Sequence, residues 1–302
     1  MQRLIIVYNP NSSRFIDVDK EVLAPAKRLK GYLIGKYEVE KTNLEDNIAK
    51  LAKILKDDDL VISAGGDATG IIASNGIIKS GKDITLAVLP YGNFNDLSRT
   101  LGTTTIADVL DQKATRKKLY PLEIIVDGKL FRYATCYVTI GMTAEACELF
   151  DEPKFRKSMQ KGHKSSWRSY LALVKWYFKN RHKKVFIPEF TLNGKKTAKG
   201  ISDYCALSGK SMCRVMKGGD DYLKPKVFRS ENCRLINFWR LTKLMTAAIF
   251  ARTPGTPTTG DILEFTNPAT VELQAEGEYK TFKDIKTIEI KKGDKFIKVI
   301  QR

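Results

Sequence analysis

The chain has 302 residues, 43% hydrophobic and 28% charged, and its 52 basic against 34 acidic residues give a formal net charge of +18. This balance excludes a largely disordered chain, and the length is sufficient for two domains. The excess of positive charge favours a partner with a negative surface.

No apolar run approaches the roughly 20 residues that a membrane span requires. The apolar stretch Leu4–Tyr8 near the amino terminus is too short for a signal peptide. The five cysteines include no CxxC pair, and with only two histidines they do not have the spacing of a zinc site. We therefore expect a cytoplasmic protein with reduced thiols.

Apolar runs alternate with helix-like stretches through the first 120 residues. The predicted strands are Leu4–Tyr8, Leu60–Ser63 and Ile84–Leu89, and the helix-like stretches include Val18–Lys30 and Asn43–Lys56. This alternation is typical of βα units and predicts a parallel sheet.

A polar or glycine-bearing loop follows each of these three strands. The residues of interest are Asn9, Asn11, Ser12 and Ser13, then Gly65, Gly66, Asp67 and Thr69, and finally Gly92, Asn95, Asp96 and Arg99. Asp67 is predicted to be the N-cap of the following helix, and the next helix runs from near Asn95 to Gly102. The carboxyl ends of parallel strands share one edge of a sheet, and helix amides there favour anions, so the pattern predicts a nucleotide-binding crevice. Taken singly, each loop also fits an ordinary structural turn.

Hairpin signals replace this pattern after residue 120. Asp127 and Gly128 separate a predicted strand at Leu122–Val126 from another at Lys129–Ile140. Asn193 followed by Gly194 repeats the signal between two shorter strands.

The last residues predict one more hairpin, formed by Thr287–Ile290 and Phe296–Ile300. We therefore expect an α/β chain: a parallel-sheet nucleotide-binding domain over residues 1–120, then a mainly antiparallel β domain over 121–289 with a helical insertion. An exposed edge strand of the β domain would support a homodimer.

The helical insertion is predicted at Ser165–Lys179, where aromatic and aliphatic residues recur at helical spacing between basic flanks. A core-facing stripe and a helix lying on a membrane both fit this pattern. Basic residues gain about 1 kcal/mol each near an anionic bilayer. The chain has no zinc-finger spacing, RNP-like aromatic motif or suitable GxxG loop, so we expect an anionic membrane surface rather than nucleic acid as the partner.

Several ordered segments resemble the diacylglycerol-kinase-like lipid kinase family, which includes bacterial diacylglycerol kinases and sphingosine and ceramide kinases. Asn9 and Pro10 with the following serines are similar to its first phosphate loop, and Gly65–Thr69 matches its GGDGT signature at four of five positions. Pro90–Arg99 falls on its PxGTxNDxxR pattern. Later segments resemble the family in the same order, at Tyr120–Glu123, Thr139–Glu145 and Gln274–Glu278.

The resemblance implies transfer of a phosphoryl group from ATP, with Mg²⁺, to a hydroxyl of a diacylglycerol-like or sphingoid lipid by a protein peripheral at the membrane. The loop residues named above would bind the nucleotide, with Asp67 near the magnesium or the transferring phosphate. The family's DGE segment, whose aspartate is taken as the general base, reads EGE here, so Glu276 is the candidate base. The β domain would bind the lipid, and the terminal strands, about 290–302, would pack back on the first domain.

The chain departs from the family pattern at four positions: Ala68, Asn93, Phe94 and Glu276. A stretch similar to the family's structural magnesium site has Arg229, Ser230 and Glu231 where acidic ligands are expected. We therefore assign no metal ligands from the sequence.

Three other functions therefore stay open: a catalytically weakened relative that binds nucleotide or lipid as a regulator, an NAD kinase, which shares the GGDGT loop, and a basic membrane-interaction module. Two residue roles also have alternatives. Arg99 would contact phosphate or pair with Asp96, and Glu276 would act as base or lie in an exposed acidic turn.

Overall fold

The computed structural model describes most of the chain. The described residues are 1–12, 14–92, 94–111, 114–141, 143–145, 171, 175–176, 187–197, 200–212, 216–217, 226–229 and 258–302. The chain divides into two compact units, Met1–Pro121 with Gly293–Arg302 and Leu122–Lys292. Each unit is built around a sheet of its own.

The first unit combines a six-stranded sheet with helices. Its strands, numbered in chain order, are β1 (Gln2–Tyr8), β2 (Tyr32–Glu38), β3 (Leu60–Gly65), β4 (Thr85–Pro90), β5 (Thr115–Leu119) and β17 (Ile297–Gln301). Its helices are α1 (Phe15–Val18), a π-helical turn (Asp19–Leu23), α2 (Ala24–Ala26), α3 (Leu44–Ile54), α4 (Asp67–Ser80), α5 (Asp96–Leu101) and α6 (Ile106–Leu110).

The strand order in this sheet is β2-β1-β3-β4-β17-β5. All neighbours are parallel except β17 and β5. The chain passes from β1 to β2 on one side and then to β3 on the other, so the order reverses beside β1. Ligands of open α/β sheets bind at such a switch point, beyond the carboxyl ends of the strands.

Burial explains why the inner strands read as continuous apolar runs. All six residues of β3 are buried, and so are the last five of β1, because helices cover both faces of a parallel sheet. The α3 helix begins where the Asn43 side chain accepts the Asp46 amide at 2.7 Å. Gly81, at φ 67°, ends α4.

The first helical segment differs from the sequence expectation of Val18–Lys30. It begins at Phe15, contains the π-helical turn and ends at Ala26. Pro25 has no amide hydrogen to donate to the preceding turn, which accounts for the widened turn before it.

The second unit is built from antiparallel strands. They are β6 (Leu122–Val126), β7 (Lys129–Ala134), β8 (Tyr137–Gly141), β9 (Phe190–Leu192), β10 (Lys195–Lys196), β11 (Ile201–Leu207), β12 (Ser211–Met212), β13 (Met216–Lys217), β14 (Lys226–Arg229), β15 (Gly260–Ala275) and β16 (Glu278–Lys292). The main sheet has the order β14-β11-β8-β15-β16-β6-β7, with β9 pairing β10 and β15, and β12 pairs separately with β13. The predicted succession of a largely parallel α/β part and an antiparallel β part is confirmed.

Two strand predictions were wrong. Lys129–Ile140 is not one strand, because Thr135 and Cys136 form a break between β7 and β8. The predicted last hairpin does not form either, since β16 lies in the second sheet whereas β17 inserts between β4 and β5 of the first. The Gly293 amide donates to the Pro121 carbonyl at 2.7 Å, which directs the chain out of β16 instead of turning it back.

The predicted helical insertion at Ser165–Lys179 lies outside the described residues apart from Leu171, Lys175 and Trp176. Among the described helices, none has both the length and the apolar character needed to cross a bilayer.

Candidate functional site

The first loop, after β1, is a compact turn. The Asn9 side chain accepts the Asn11 amide at 2.9 Å, and the Asn9 carbonyl accepts the Ser12 amide at 3.0 Å. The Ser12 hydroxyl oxygen is buried and has no hydrogen-bond partner among the described residues. Buried polar atoms are rarely left unsatisfied, so this hydroxyl is a candidate donor to a bound phosphate oxygen. Ser13 lies outside the described residues.

Arg14 connects this first loop to the end of β4, and sequence reasoning missed it. Its Nη1 donates to the Pro90 carbonyl at 3.0 Å, its Nε donates to Asp17 Oδ2 at 2.7 Å, and its guanidinium carbon lies 5.3 Å from the centre of the Tyr91 ring. The position of Arg14, directly after Ser12 and Ser13, is the feature of the sequence that could have identified it as part of this loop. Burial and the nearby Glu21, which accepts the Tyr91 hydroxyl at 2.8 Å, raise the pKa of Tyr91.

The second loop packs tightly as it enters α4. A Cβ at Gly65 would clash with Thr69 Oγ1, so glycine is required for this packing. Thr69 is 2% exposed, and its amide donates to the Gly66 carbonyl at 3.0 Å. Contact between the Thr69 hydroxyl and a phosphate stays a prediction, and it would require this buried side chain to be reached.

Asp67 is not the N-cap of α4, which corrects the sequence expectation. Gly66 is the cap and Asp67 is the first helical residue. The Asp67 carboxylate instead accepts the Asp96 amide at 3.1 Å, at the start of α5. Burial, followed by the charge of Asp96, raises the pKa of Asp67 to about 7. Asp67 therefore couples the second loop to the third.

The third loop is closed by Asn95. Its Oδ1 accepts the Gly92 amide at 2.6 Å and its Nδ2 donates to the Gly92 carbonyl at 2.8 Å. Asn95 has φ 58°, a left-handed conformation that asparagine adopts more readily than most residues. A Cβ at Gly92 would clash with the Cα of Gly66, so two glycines allow the second and third loops to touch. Asn93 lies outside the described residues.

Arg99 and Ala68 complete this edge of the first unit. Arg99 is exposed, and its Nε donates to the Phe94 carbonyl at 3.0 Å, which holds the loop from outside. Ala68, where the family has glycine, is the second residue of α4 and does not have a positive φ. The methyl group of Ala68 therefore causes no backbone strain.

Glu276 lies in the second unit, at the turn between β15 and β16. It is 4% exposed, so the alternative of an exposed acidic turn is wrong. Its Oε1 accepts the Thr135 hydroxyl at 2.7 Å and also the Cys136 amide. The break between β7 and β8, which the sequence analysis did not predict, thus supplies both of these donors to Glu276.

The second unit holds another buried carboxylate that sequence reasoning missed, Asp203 on β11. It accepts the Thr143 amide at 3.2 Å and the Thr143 hydroxyl, and burial raises its pKa to about 7. Within the described part of the chain, no three His, Cys, Asp or Glu side chains are grouped to hold a metal. Arg229 ends β14, whereas Ser230 and Glu231 lie outside the described residues.

Comparison with known proteins gives matches of sequence in the first part of the chain. Residues 3–126 match the family model of the diacylglycerol kinase catalytic domain. A diacylglycerol kinase of Bacillus subtilis (strain 168) is 35% identical over 105 residues, 34% of this chain and 34% of that protein. A diacylglycerol kinase of Staphylococcus saprophyticus is 28% identical over 134 residues, 43% of this chain and 39% of that protein. These matches thus span less than half the length of the curated relatives.

The fold extends the likeness to the whole chain. A crystal structure of a diacylglycerol kinase from Bacillus anthracis str. Sterne has a TM-score of 0.64 at 17% identity, covering 100% of this chain and 97% of that one. The match over residues 3–126 and the shared fold confirm the resemblance seen in the motifs: residues 3–126 are similar to the diacylglycerol kinase catalytic domain, and the whole chain has the fold of a diacylglycerol kinase structure.

Proposed function

We propose that this protein transfers the γ-phosphoryl group of ATP to a hydroxyl of a diacylglycerol-like or sphingoid lipid at a membrane surface. The observation that carries the proposal is the joining of three loops beyond the carboxyl ends of β1, β3 and β4. Arg14 bonds to Pro90, and Gly66 contacts Gly92. The joined loops lie beside the switch point of a parallel sheet.

The first two loops have the properties of a phosphate site. The Ser12 hydroxyl oxygen is buried, has no hydrogen-bond partner in the described part of the chain, and would donate to a phosphate oxygen. The start of α4 adds the positive end of a helix dipole. Because Gly66 and Gly92 pack against each other without side chains, the second and third loops meet at the start of α4, where we expect the triphosphate to bind.

A divalent cation fits the same loops. The pKa of Asp67 is raised by burial and by Asp96, so a nearby positive charge would stabilise its ionised form. Asp67 is the residue we assign to Mg²⁺, which would neutralise charge on the phosphates when bound.

Glu276 is the proposed general base. A buried carboxylate held by two donors keeps one orientation, as a base that meets a substrate hydroxyl requires. It would take the proton of the lipid hydroxyl as that oxygen attacks the γ-phosphorus and ADP leaves.

The membrane part of the proposal is supported by a basic edge of the first sheet. Arg116, Lys117 and Lys118 are consecutive and exposed on β5, an edge strand. The Lys118 ammonium lies 4.3 Å from the centre of the Phe296 ring, which is 40% exposed. Exposed aromatic rings beside cations are typical of surfaces that bind anionic lipid. We call Arg116, Lys117, Lys118 and Phe296 the β5 surface.

The function is tested by incubating the protein with γ-labelled ATP, Mg²⁺ and mixed micelles. The micelles contain, one at a time, diacylglycerol, sphingosine, ceramide, an isoprenoid alcohol or phosphatidylglycerol, with NAD as a soluble acceptor in a parallel reaction. Label in one lipid class is the expected result. Label in NAD alone would identify an NAD kinase, and ATP binding without labelled product would indicate a nucleotide-binding relative without kinase activity.

A further inference from the structure

We infer that Thr135 is a positioning residue for Glu276. Its hydroxyl and the Cys136 amide lie where both can donate to a glutamate at position 276, whereas the aspartate of the family pattern would be too short to accept from both. The inference rests on the proposed role of Glu276 as general base. It adds the groups that hold this base in place.

The turn that carries Glu276 is unfavourable for a glutamate. Ala275 lies opposite Glu278 in the β15–β16 ladder, so Glu276 and Gly277 are a two-residue hairpin turn. Their φ angles are 51° and 91°. Asparagine, aspartate and glycine are the residues preferred in such turns. A buried residue keeps an unfavourable backbone conformation when its surroundings fix it, often at a functional site.

The surroundings that fix Glu276 include two donors of the β7–β8 turn. Thr135 Oγ1 lies 2.7 Å from Glu276 Oε1, and the Cys136 amide donates to the same oxygen. This turn is itself anchored by Ser208, whose amide donates to the Cys136 carbonyl at 2.7 Å and whose hydroxyl donates to the Thr135 carbonyl at 3.0 Å. Ser208 therefore fixes the backbone of both residues that donate to Glu276.

A second pair of contacts joins β8 to β15, the strands that adjoin the turns of Thr135 and Glu276. These contacts fix the distance between the two turns. Thr139 Oγ1 donates to Gln274 Oε1 at 2.6 Å, and Gln274 Nε2 donates to the Tyr137 hydroxyl at 3.3 Å. All three side chains are 2% exposed or less. Thr139 is also the β8 residue opposite Gln274 in β15.

The length of the side chain follows from these contacts. Aspartate at position 276 would be shorter by one carbon–carbon bond, about 1.5 Å. From the same backbone it would not reach both donors at hydrogen-bonding distance. We therefore expect Glu276→Asp, although it restores the family residue, to lower the turnover number about 10-fold or more.

The test compares Thr135→Val with Thr135→Ser. Valine keeps the shape of the buried side chain and removes the hydroxyl, whereas serine keeps the hydroxyl. For Thr135→Val we expect kcat to fall about 10-fold to 100-fold with unchanged KM for ATP. The acidic limb of its pH–rate profile should move to higher pH, since a carboxylate that loses a donor holds its proton more tightly. Thr135→Ser should retain most of the activity and the original limb.

A titration that does not require turnover accompanies the kinetics. The side-chain carboxyl of Glu276 is followed by ¹³C NMR, assigned with Glu276→Gln, and its midpoint should be higher in Thr135→Val than in the unchanged protein. An unchanged midpoint, or equal defects in the valine and serine variants, would overturn the role of Thr135. Full activity of Glu276→Gln would instead overturn Glu276 as the base, and an NMR shift in a protein without kinase activity would support the contact while rejecting the function.

Discussion

At the scale of single residues, Asp67 destabilises the fold at neutral pH. Burial, and then the charge of Asp96, raises its pKa from 3.8 to about 7. A carboxyl whose pKa is higher in the folded state contributes stability that is fully present below the unfolded pKa of 3.8. That stability is lost as pH rises through about 7. A costly charge in a loop of the proposed phosphate site is consistent with a functional role.

We expect Asp67→Asn to raise the free energy of unfolding at pH 8 by about 1 kcal/mol or more, and to abolish phosphoryl transfer. Asparagine keeps an acceptor for the Asp96 amide but removes the charge. Urea unfolding at pH 8 and pH 4 measures the effect. A similar gain at pH 4 would contradict the electrostatic cause, because Asp67 in the folded, unchanged protein is then protonated and carries no charge.

The Ala68 departure has a local explanation. Since Ala68 has no positive φ and lies in the first turn of α4, glycine is not required there by the backbone. We expect Ala68→Gly to destabilise the protein by about 1 kcal/mol and to leave the rate of phosphoryl transfer within about twofold. A large gain in activity would show instead that Ala68 weakens this chain as a kinase.

At the scale of elements, the contact between the second and third loops depends on Gly92. Its Cβ in Gly92→Ala would meet the Gly66 backbone, which cannot move as a flexible side chain would. We expect ATP affinity to fall about 10-fold or more, measured by calorimetry. Gly70→Ala is the matched control, because its Cβ would lie 3.7 Å from Leu97 Cδ2, an ordinary contact. Equal losses in both variants would contradict the role of the loop contact.

Some of the strands and loops of the first unit could be predicted from the sequence. The strands before the three loops were predictable, because buried parallel strands read as apolar runs and their loops carry glycine and asparagine. Gly102, at φ 75°, ends α5 as predicted. These features were predictable because each depends on residues that are neighbours in the chain.

The parts that sequence reasoning missed depend on distant contacts. The break at Thr135 and Cys136 is determined by Ser208 and Glu276, which are far away in the chain. Asp67 caps α5 and not its own helix, because the third loop brings the Asp96 amide to it. The residues next to each partner in the sequence do not predict these long-range hydrogen bonds.

At the scale of the whole molecule, a net charge of +18 draws the protein to any anionic surface, so a specific docking surface must be separated from general attraction. The β5 surface is the candidate. We expect Arg116→Gln, Lys117→Gln and Lys118→Gln together to weaken binding to phosphatidylglycerol-containing vesicles about 100-fold at low salt. Vesicle co-sedimentation measures this loss.

The matched control for the β5 surface removes the same charge elsewhere in the first unit. Lys27, Arg28 and Lys30 are exposed and are replaced by glutamine in the same way. The control should bind vesicles several-fold more tightly than the β5 variant. If both triple variants lose the same affinity, net charge rather than the β5 surface accounts for membrane binding.

The proposed activity is phosphoryl transfer from ATP to a lipid, with Asp67 and Glu276 as the residues proposed to take part. Its most direct test is labelling of lipid by γ-labelled ATP with the unchanged protein, Asp67→Asn and Glu276→Gln, each verified as folded by thermal unfolding. We expect labelled lipid from the unchanged protein and a loss of about 100-fold or more in both variants. Undiminished labelling by either folded variant, or no labelled lipid from the unchanged protein, would contradict it.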